Sequence, residues 1–215
     1  MTDKRNPPIA LEDRAQDGAK LRSPSAERNR RVIAEQLSTL LPHGASVLEI
    51  ASGTGEHALT MCRARHDITW QPSDPNPASR ASQNAWASDV DGQMLPSLDI
   101  DTTQVDWAVR LPQYDVIFCA NMIHIAPWEA ALGLAVASAE LVKTDGMVVL
   151  YGPFKEGQDT AQSNLDFDIS LKSRDPRWGV RNLSDVKHIF AKAGFNRCDR
   201  IVMPKNNQIL VFQRS

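Results

Sequence analysis

Basic charge is not in excess in this sequence, long apolar runs are missing and cysteine is scarce, and each shortage removes a class of function. The 215 residues carry 24 Lys and Arg against 26 Asp and Glu, a formal net charge of -2 with a pI near 6.2. There is no global positive field to hold a polyphosphate backbone, so nucleic acid is not expected as a partner. The one dense basic run, Arg28, Arg30 and Arg31, reads more simply as a solvated helix face. No segment approaches the roughly 18 apolar residues that span a bilayer, and the N-terminus lacks an apolar run with a small-residue cleavage site. A cytoplasmic protein with no membrane partner is therefore expected. The 3 cysteines, Cys62, Cys119 and Cys198, are odd in number and far apart. They match neither a disulfide framework nor a C-x-x-C metal site, so buried thiols and no metal are expected.

With 42% hydrophobic and 23% charged residues, the chain is close to an average soluble domain, and its length suits a single α/β core. Its organising stretch is Ser46 to His57, S-V-L-E-I-A-S-G-T-G-E-H. Val47, Leu48 and Ile50 suit a buried strand, and Gly53 and Gly55 break it where a helix can begin. Glycine, with no Cβ, allows positive φ and lets a ligand touch the main chain, and the following helix aims free N–H groups at it. Two nucleotide classes fit poorly. The third glycine of G-x-G-x-x-G is missing, which disfavours NAD, and no G-K-[ST] follows, which disfavours a P-loop.

Along the chain, residues 1–22 are polar and without apolar period, and read as a mobile arm ahead of a domain over 23–215. Ser23 or Ser25 opens a helix ending before Pro42, and Glu56 to about Arg65 forms the next. A second strand ends at Asp74, 25 residues after Glu49, the offset at which a carboxylate meets a ribose diol. A helix from Pro77 to about Ser88 leads to a short third strand over Leu95 to Asp101. Tyr114 to Ala120 is an apolar run, as in a strand buried on both faces. A helix from Trp128 and a strand over Met147 to Tyr151 follow. This alternation predicts a mostly parallel sheet with right-handed crossovers. From about 152 to 182 the pattern breaks into a stretch with Phe154, Phe167, Leu171 and Trp178, read as an ordered lid. A helix over Ser184 to Ala193 and a hairpin, Asn196 to Met203 and Gln208 to Arg214, close the chain.

The run E-x-x-x-G-x-G resembles the first motif of class I S-adenosylmethionine-dependent methyltransferases, with Ala51 where a first glycine is common. Further segments extend the resemblance to a small family of methyltransferase-like proteins, from about residue 23 to the end. They are S-P-S-A-E-R-N (23–29), W-Q-P-S-D (70–74), A-N-M-I-H-I-A-P-W (120–128), Y-G-P-F (151–154), S-N-L-D-F-D (163–168), R-D-P-R-W-G-V-R (174–181) and M-P-K-N-N (203–207). The resemblance implies a Rossmann-like α/β fold, a seven-stranded sheet with one antiparallel strand, helices on both faces, and S-adenosylmethionine at the sheet's carboxyl edge. It implies Glu49 near the methionine ammonium and the backbone of Ala51, Ser52, Gly53, Thr54 and Gly55 under the sulfonium and sugar. It does not name an acceptor.

The candidate cofactor set is these residues with Arg28, Asn29, Asp74, Pro75, Asp99, Asn121 and Met122. Methyl transfer is an in-line displacement in which the protein mainly aligns the acceptor and excludes water. Where the acceptor must lose a proton, His124 is the candidate base, with Asn121 and Tyr151 beside it; the alternative is a histidine packed against Trp128 or bonded to backbone. Trp128, Phe154, Asn164, Asp168, Arg174, Trp178 and Arg181 are the candidate acceptor residues. Their mix suits a small polar or anionic molecule gripped by an arginine, unless Arg174 and Arg181 only staple the lid. A cofactor-binding module without transferase activity and, more distantly, a nicotinamide oxidoreductase are the competing readings.

Overall fold

The computed structural model describes residues 13–214, in two compact units that divide at Ile100 and Asp101. The fold is α/β with a mostly parallel central sheet of six strands.

The first unit opens with β1 (Ala15–Asp17) and β2 (Lys20–Arg22), an antiparallel hairpin. Residues 15–22, part of the stretch that the sequence suggests is an arm, thus form a hairpin; the rest of that stretch, residues 1–12, lies outside the described residues. Gly18, at φ 58°, supplies the left-handed residue that a two-residue hairpin turn requires. Helix α1 (Pro24–Leu40) follows, with Pro24 in its first turn where the missing N–H costs nothing. Strands β3 (Ser46–Ile50) and β4 (Thr69–Pro72) pair in parallel, with Glu49 opposite Pro72. Helix α2 (Glu56–Ala64) leaves the glycine turn, and α3 (Pro77–Ala87) is capped by Asn76, whose side chain accepts from the N–H groups of Ala78 and Ser79.

The expected third strand, and with it the expected count of seven, is corrected. Leu95 to Asp101 holds a single isolated parallel bridge, Ser73 to Leu98, with another, Trp70 to Met94, just ahead of it. Pro96 has no N–H, and the N–H of Ser97 goes to the Asn84 side chain at 2.8 Å, so the ladder is interrupted between its two ends.

The second unit carries β5 (Tyr114–Ala120), α4 (Trp128–Leu141), β6 (Val142–Pro153), α5 (Gln162–Arg174), α6 (Leu183–Lys192), β7 (Arg197–Met203) and β8 (Asn207–Gln213). Its strands run in the order β5-β6-β8-β7. β5 and β6 are parallel, and β8 is antiparallel to both its neighbours, the single reversed strand expected. Val116, Ile117, Phe118, Val148 and Val149 are fully buried, and Phe190 stacks on Phe212 at 4.4 Å between ring centroids. The stretch expected as a lid contains α5, which buries Asn164, Asp168 and Leu171. No helix among the described residues is long and apolar enough to cross a membrane.

Candidate functional site

The glycine turn of the first unit is held in an alternating backbone. Ala51 (φ 54°), Gly53 (φ 57°) and Gly55 (φ 88°) all have left-handed φ. Ala51 therefore adopts, with a Cβ, the conformation glycine would adopt freely, at a cost of about 1–2 kcal/mol. Strain of this kind collects where a backbone must be presented to a ligand. The turn is fastened from outside. Ser52 N–H donates to Ser73 O, Gln83 donates to Gly53 O at 2.9 Å, and the Ser82 hydroxyl donates to Thr54 O at 2.8 Å. A Cβ at Gly55 would lie 3.1 Å from Gln83 Cα, and at φ 88° a side chain there would be strained.

Two expected acids flank the turn. Asp74 is 7% exposed; its Oδ2 accepts from Gly53 N–H at 3.0 Å and its Oδ1 from Asn76 N–H at 2.9 Å. Burial pushes its carboxyl up to about 6, against the pull of those two N–H groups and of Arg14 and Arg80. Each oxygen keeps a lone pair for a further donor. Glu49 is 1% exposed, and its Oε2 accepts from Trp70 Nε1 at 2.9 Å. Its Oε1 is buried without a hydrogen-bond partner, 3.5 Å from His57 Nδ1. The far nitrogen of His57 bonds Asn29 Oδ1 at 2.9 Å, so Trp70, Glu49, His57 and Asn29 form one chain of polar contacts. A buried acceptor lacking a donor at a strand end, beside a turn with two glycines, fits a cationic ligand such as an ammonium.

Other members of the set lie nearby or apart. Asp99 is half-exposed and pairs with Arg80 at 3.1 Å, and Arg80 also donates to the carbonyls of Asp74 and Pro75. Pro75 and Arg28 are exposed. Glu56 and His57 stand in the sequence only as the opening of a helix. Glu56 is in fact 1% exposed and accepts from Ser23 N–H, the Thr54 hydroxyl and Arg30, tying α1 to the turn. Its signal was the E-H pair directly after the glycines. The Cys62 thiol is pushed up to about 12, by burial first and Glu49 second, which makes it inert.

In the second unit Asn121 ends β5 in a left-handed conformation (φ 61°), its N–H on Tyr151 O at 2.8 Å, and Met122 and His124 bound the short helical turn that follows. His124 requires correction as a base. Its ring is fully buried, Nδ1 accepts from Arg181 N–H at 3.3 Å, and the ring meets Phe154 edge-on at 5.2 Å. With Nδ1 accepting, the proton belongs on Nε2, which is buried without a partner. A Cβ at position 152 would sit 2.6 Å from Nε2, so Gly152 is what makes room for the ring. Burial, with Arg181 nearby, lowers its pKa to about 3, far below what a base at neutral pH needs. This is the backbone-bonded histidine of the alternative reading. Tyr151 is likewise buried.

Arg181 is corrected as well. Its guanidinium donates to the carbonyls of Ile123 (2.8 Å), Ala126 (2.8 Å) and Arg177 (2.9 Å) and lies over the Trp128 ring at 5.4 Å. It staples the 174–182 stretch to the turn after β5 and is not free to clamp an anion. Asn164 is structural too, donating to Phe154 O and Asn206 O. A cavity of about 250 Å³ does form here, lined by Trp128, Asp168 and Arg181 from the expected set, together with Lys155, Lys172 and Asp185. Arg174 and Trp178 do not line it. Asp168 accepts from Val180 N–H at 2.8 Å and pairs with Lys172 at 2.7 Å and Lys155 at 3.4 Å. Burial opposes its ionisation, yet the two ammonium groups hold its carboxyl below the ordinary range. Neither lysine belongs to a pattern that marks it in the sequence.

The strand pattern and the glycine turn define a Rossmann-like class I methyltransferase fold. Similar solved structures include an O-methyltransferase family protein from Burkholderia thailandensis (TM-score 0.76, 17% identity, covering 89% of this chain and 56% of that one). A methyltransferase of calicheamicin biosynthesis, in its S-adenosylhomocysteine-bound form, gives 0.72 at 18% identity over 89% and 54%. Human N-acetylserotonin methyltransferase in complex with S-adenosylmethionine gives 0.71 at 13% identity over 89% and 53%. This chain thus spans little more than half the length of each, and the likeness is one of fold. By sequence the chain belongs to the DUF938 family, described as a protein of unknown function, whose profile matches residues 20–214.

Proposed function

We propose that this protein is an S-adenosylmethionine-dependent methyltransferase acting on a small polar or anionic molecule. The observation that carries the reading is the pair of buried acids beside the glycine turn, one of them with an oxygen that lacks a donor. Asp74 would take the ribose hydroxyls on its spare lone pairs, Glu49 Oε1 the methionine ammonium, and the turn from Ala51 to Gly55 would pass beneath the sulfonium. When bound, the cofactor supplies an electrophilic methyl carbon. The chain's own work is to orient and to exclude water.

Withdrawing His124 from proton transfer narrows the acceptor. It should arrive already nucleophilic at neutral pH, as a thiolate, a neutral amine or a ring nitrogen does. We assign its binding to the second-unit cavity, whose lining includes Lys155, Lys172, Asp168 and Asp185. A lining of both charges suits a small polar or anionic acceptor.

Calorimetric titration with S-adenosylhomocysteine tests the cofactor. Wild type should bind, and Asp74→Ala combined with Gly53→Val should abolish binding. No binding by wild type, or equal binding by the double variant, overturns the reading.

A further inference from the structure

Gln208 is a polar residue in an apolar strand. It is 5% exposed, and the residues that follow it in β8, Ile209, Leu210, Val211 and Phe212, are buried hydrophobics. Its Nε2 donates to Glu156 Oε1, which fixes the direction of the amide and turns its oxygen to the other side. That oxygen, Oε1, is buried without a hydrogen-bond partner, a position that costs free energy unless something donates to it.

A donor lies across the ladder. Gly152 of β6 stands directly opposite Gln208. Opposed residues of an antiparallel pair point to one face of the sheet, with their Cβ positions about 5 Å apart. The Cβ position of Gly152 is 2.6 Å from His124 Nε2 and 3.2 Å from Asn121 Oδ1, so His124, Asn121 and Gln208 share one face near the end of β6. Nε2 carries the ring proton, because Nδ1 already accepts from Arg181 N–H. It too is buried without a partner. An orphaned donor and an orphaned acceptor therefore face the same space, and Gly152 puts no side chain between them.

The polarity of these groups restricts what can join them. A cation is repelled by the Nε2–H, and an anion by the two amide oxygens. One water accepts one bond and donates two, which matches one N–H and two oxygens. We infer that a single water is bound as a fixed part of the second unit, accepting from His124 Nε2–H and donating to Gln208 Oε1 and Asn121 Oδ1. It holds His124 in one neutral tautomer and ties the turn after β5 to β8. No part of this site depends on the proposed cofactor.

A high-resolution crystal structure of the full chain tests the assignment. An oxygen peak should lie within hydrogen-bond distance, about 2.7–3.2 Å, of all three atoms. A direct bond from Nε2 to Oε1, or no peak between them, overturns it. In solution, nitrogen-15 spectra of the wild type should place the His124 proton on Nε2, with a cross-peak from it to a long-lived water; a proton on Nδ1 overturns the assignment as well. Gln208→Met keeps the length of the side chain and removes its oxygen, so this variant should lose the water cross-peak while Nδ1 still accepts from Arg181 N–H. A cross-peak of unchanged intensity would overturn the role of Gln208. Should Gln208→Met fail to fold, the two wild-type measurements decide the matter alone.

Discussion

Acid should destabilise this protein through His124, and the effect can be isolated. The ring is neutral in the fold, with a pKa of about 3, whereas in the unfolded chain it takes a proton near the ordinary 6.5. Below 6.5 the unfolded state binds more protons, so the stability present at higher pH is lost as pH falls. At about 1.4 kcal/mol per unit, the loss is about 2 kcal/mol at pH 5. Asp74 acts in the opposite sense. Its folded pKa of about 6 exceeds the ordinary 3.8, so the fold takes up a proton first and gains about 1.4 kcal/mol between pH 6 and 5. The two nearly cancel in wild type, which therefore changes little. His124→Asn separates them, since an amide oxygen can still accept from Arg181 N–H while the titration disappears. At pH 7 the variant should be less stable by about 2–4 kcal/mol, for the ring lost against Phe154. At pH 5 that deficit should shrink by about 2 kcal/mol, because only wild type carries the acid penalty. Equilibrium urea unfolding at both pH values reads the difference, and every other titrating group cancels in it. A deficit identical at pH 7 and pH 5 would refute a neutral, buried His124.

Further outcomes follow from the same geometry. Gly55→Ala places a Cβ 3.1 Å from Gln83 Cα on a residue at φ 88°, and should cost about 2–3 kcal/mol in thermal or urea unfolding; a neutral result would mean the turn can move. Arg181→Lys replaces a fork spanning three carbonyls with one ammonium, and should cost about 2–3 kcal/mol; unchanged stability would remove the staple. Affinity for S-adenosylhomocysteine should be flat above pH 7 and fall as pH drops through about 6, where ligand-free Asp74 takes up its proton, with proton release on binding. Titrations in buffers of different ionisation enthalpy check this, and a pH-independent affinity contradicts the ribose role of Asp74.

Much of this was legible in the residues. Val47 to Ile50 ran into Gly53 and Gly55 as a strand into a turn must, and Asp74 stood at the offset the second strand demands. β5, running from Tyr114 to Ala120, was found to the residue because a continuous apolar run has few alternatives. The misses have physical causes. The third strand failed at Pro96 and Ser97, where one N–H is absent and the next is taken by a side chain distant in sequence. The Asp17–Gly18 turn was a hairpin signal too short to outweigh a polar arm. Arg181 looked like a ligand grip because sequence records a charge but not the carbonyls that surround it. His124 followed the same pattern, since its burial depends on Gly152 and Phe154, both on β6 or just past it.

The most direct measurement is a crystal structure grown with S-adenosylhomocysteine. The ribose hydroxyls should lie on Asp74, the ammonium on Glu49 Oε1, and the thioether above the backbone of Ala51 to Gly55. A ligand bound away from both acids, or absent at saturating concentration, would contradict the account.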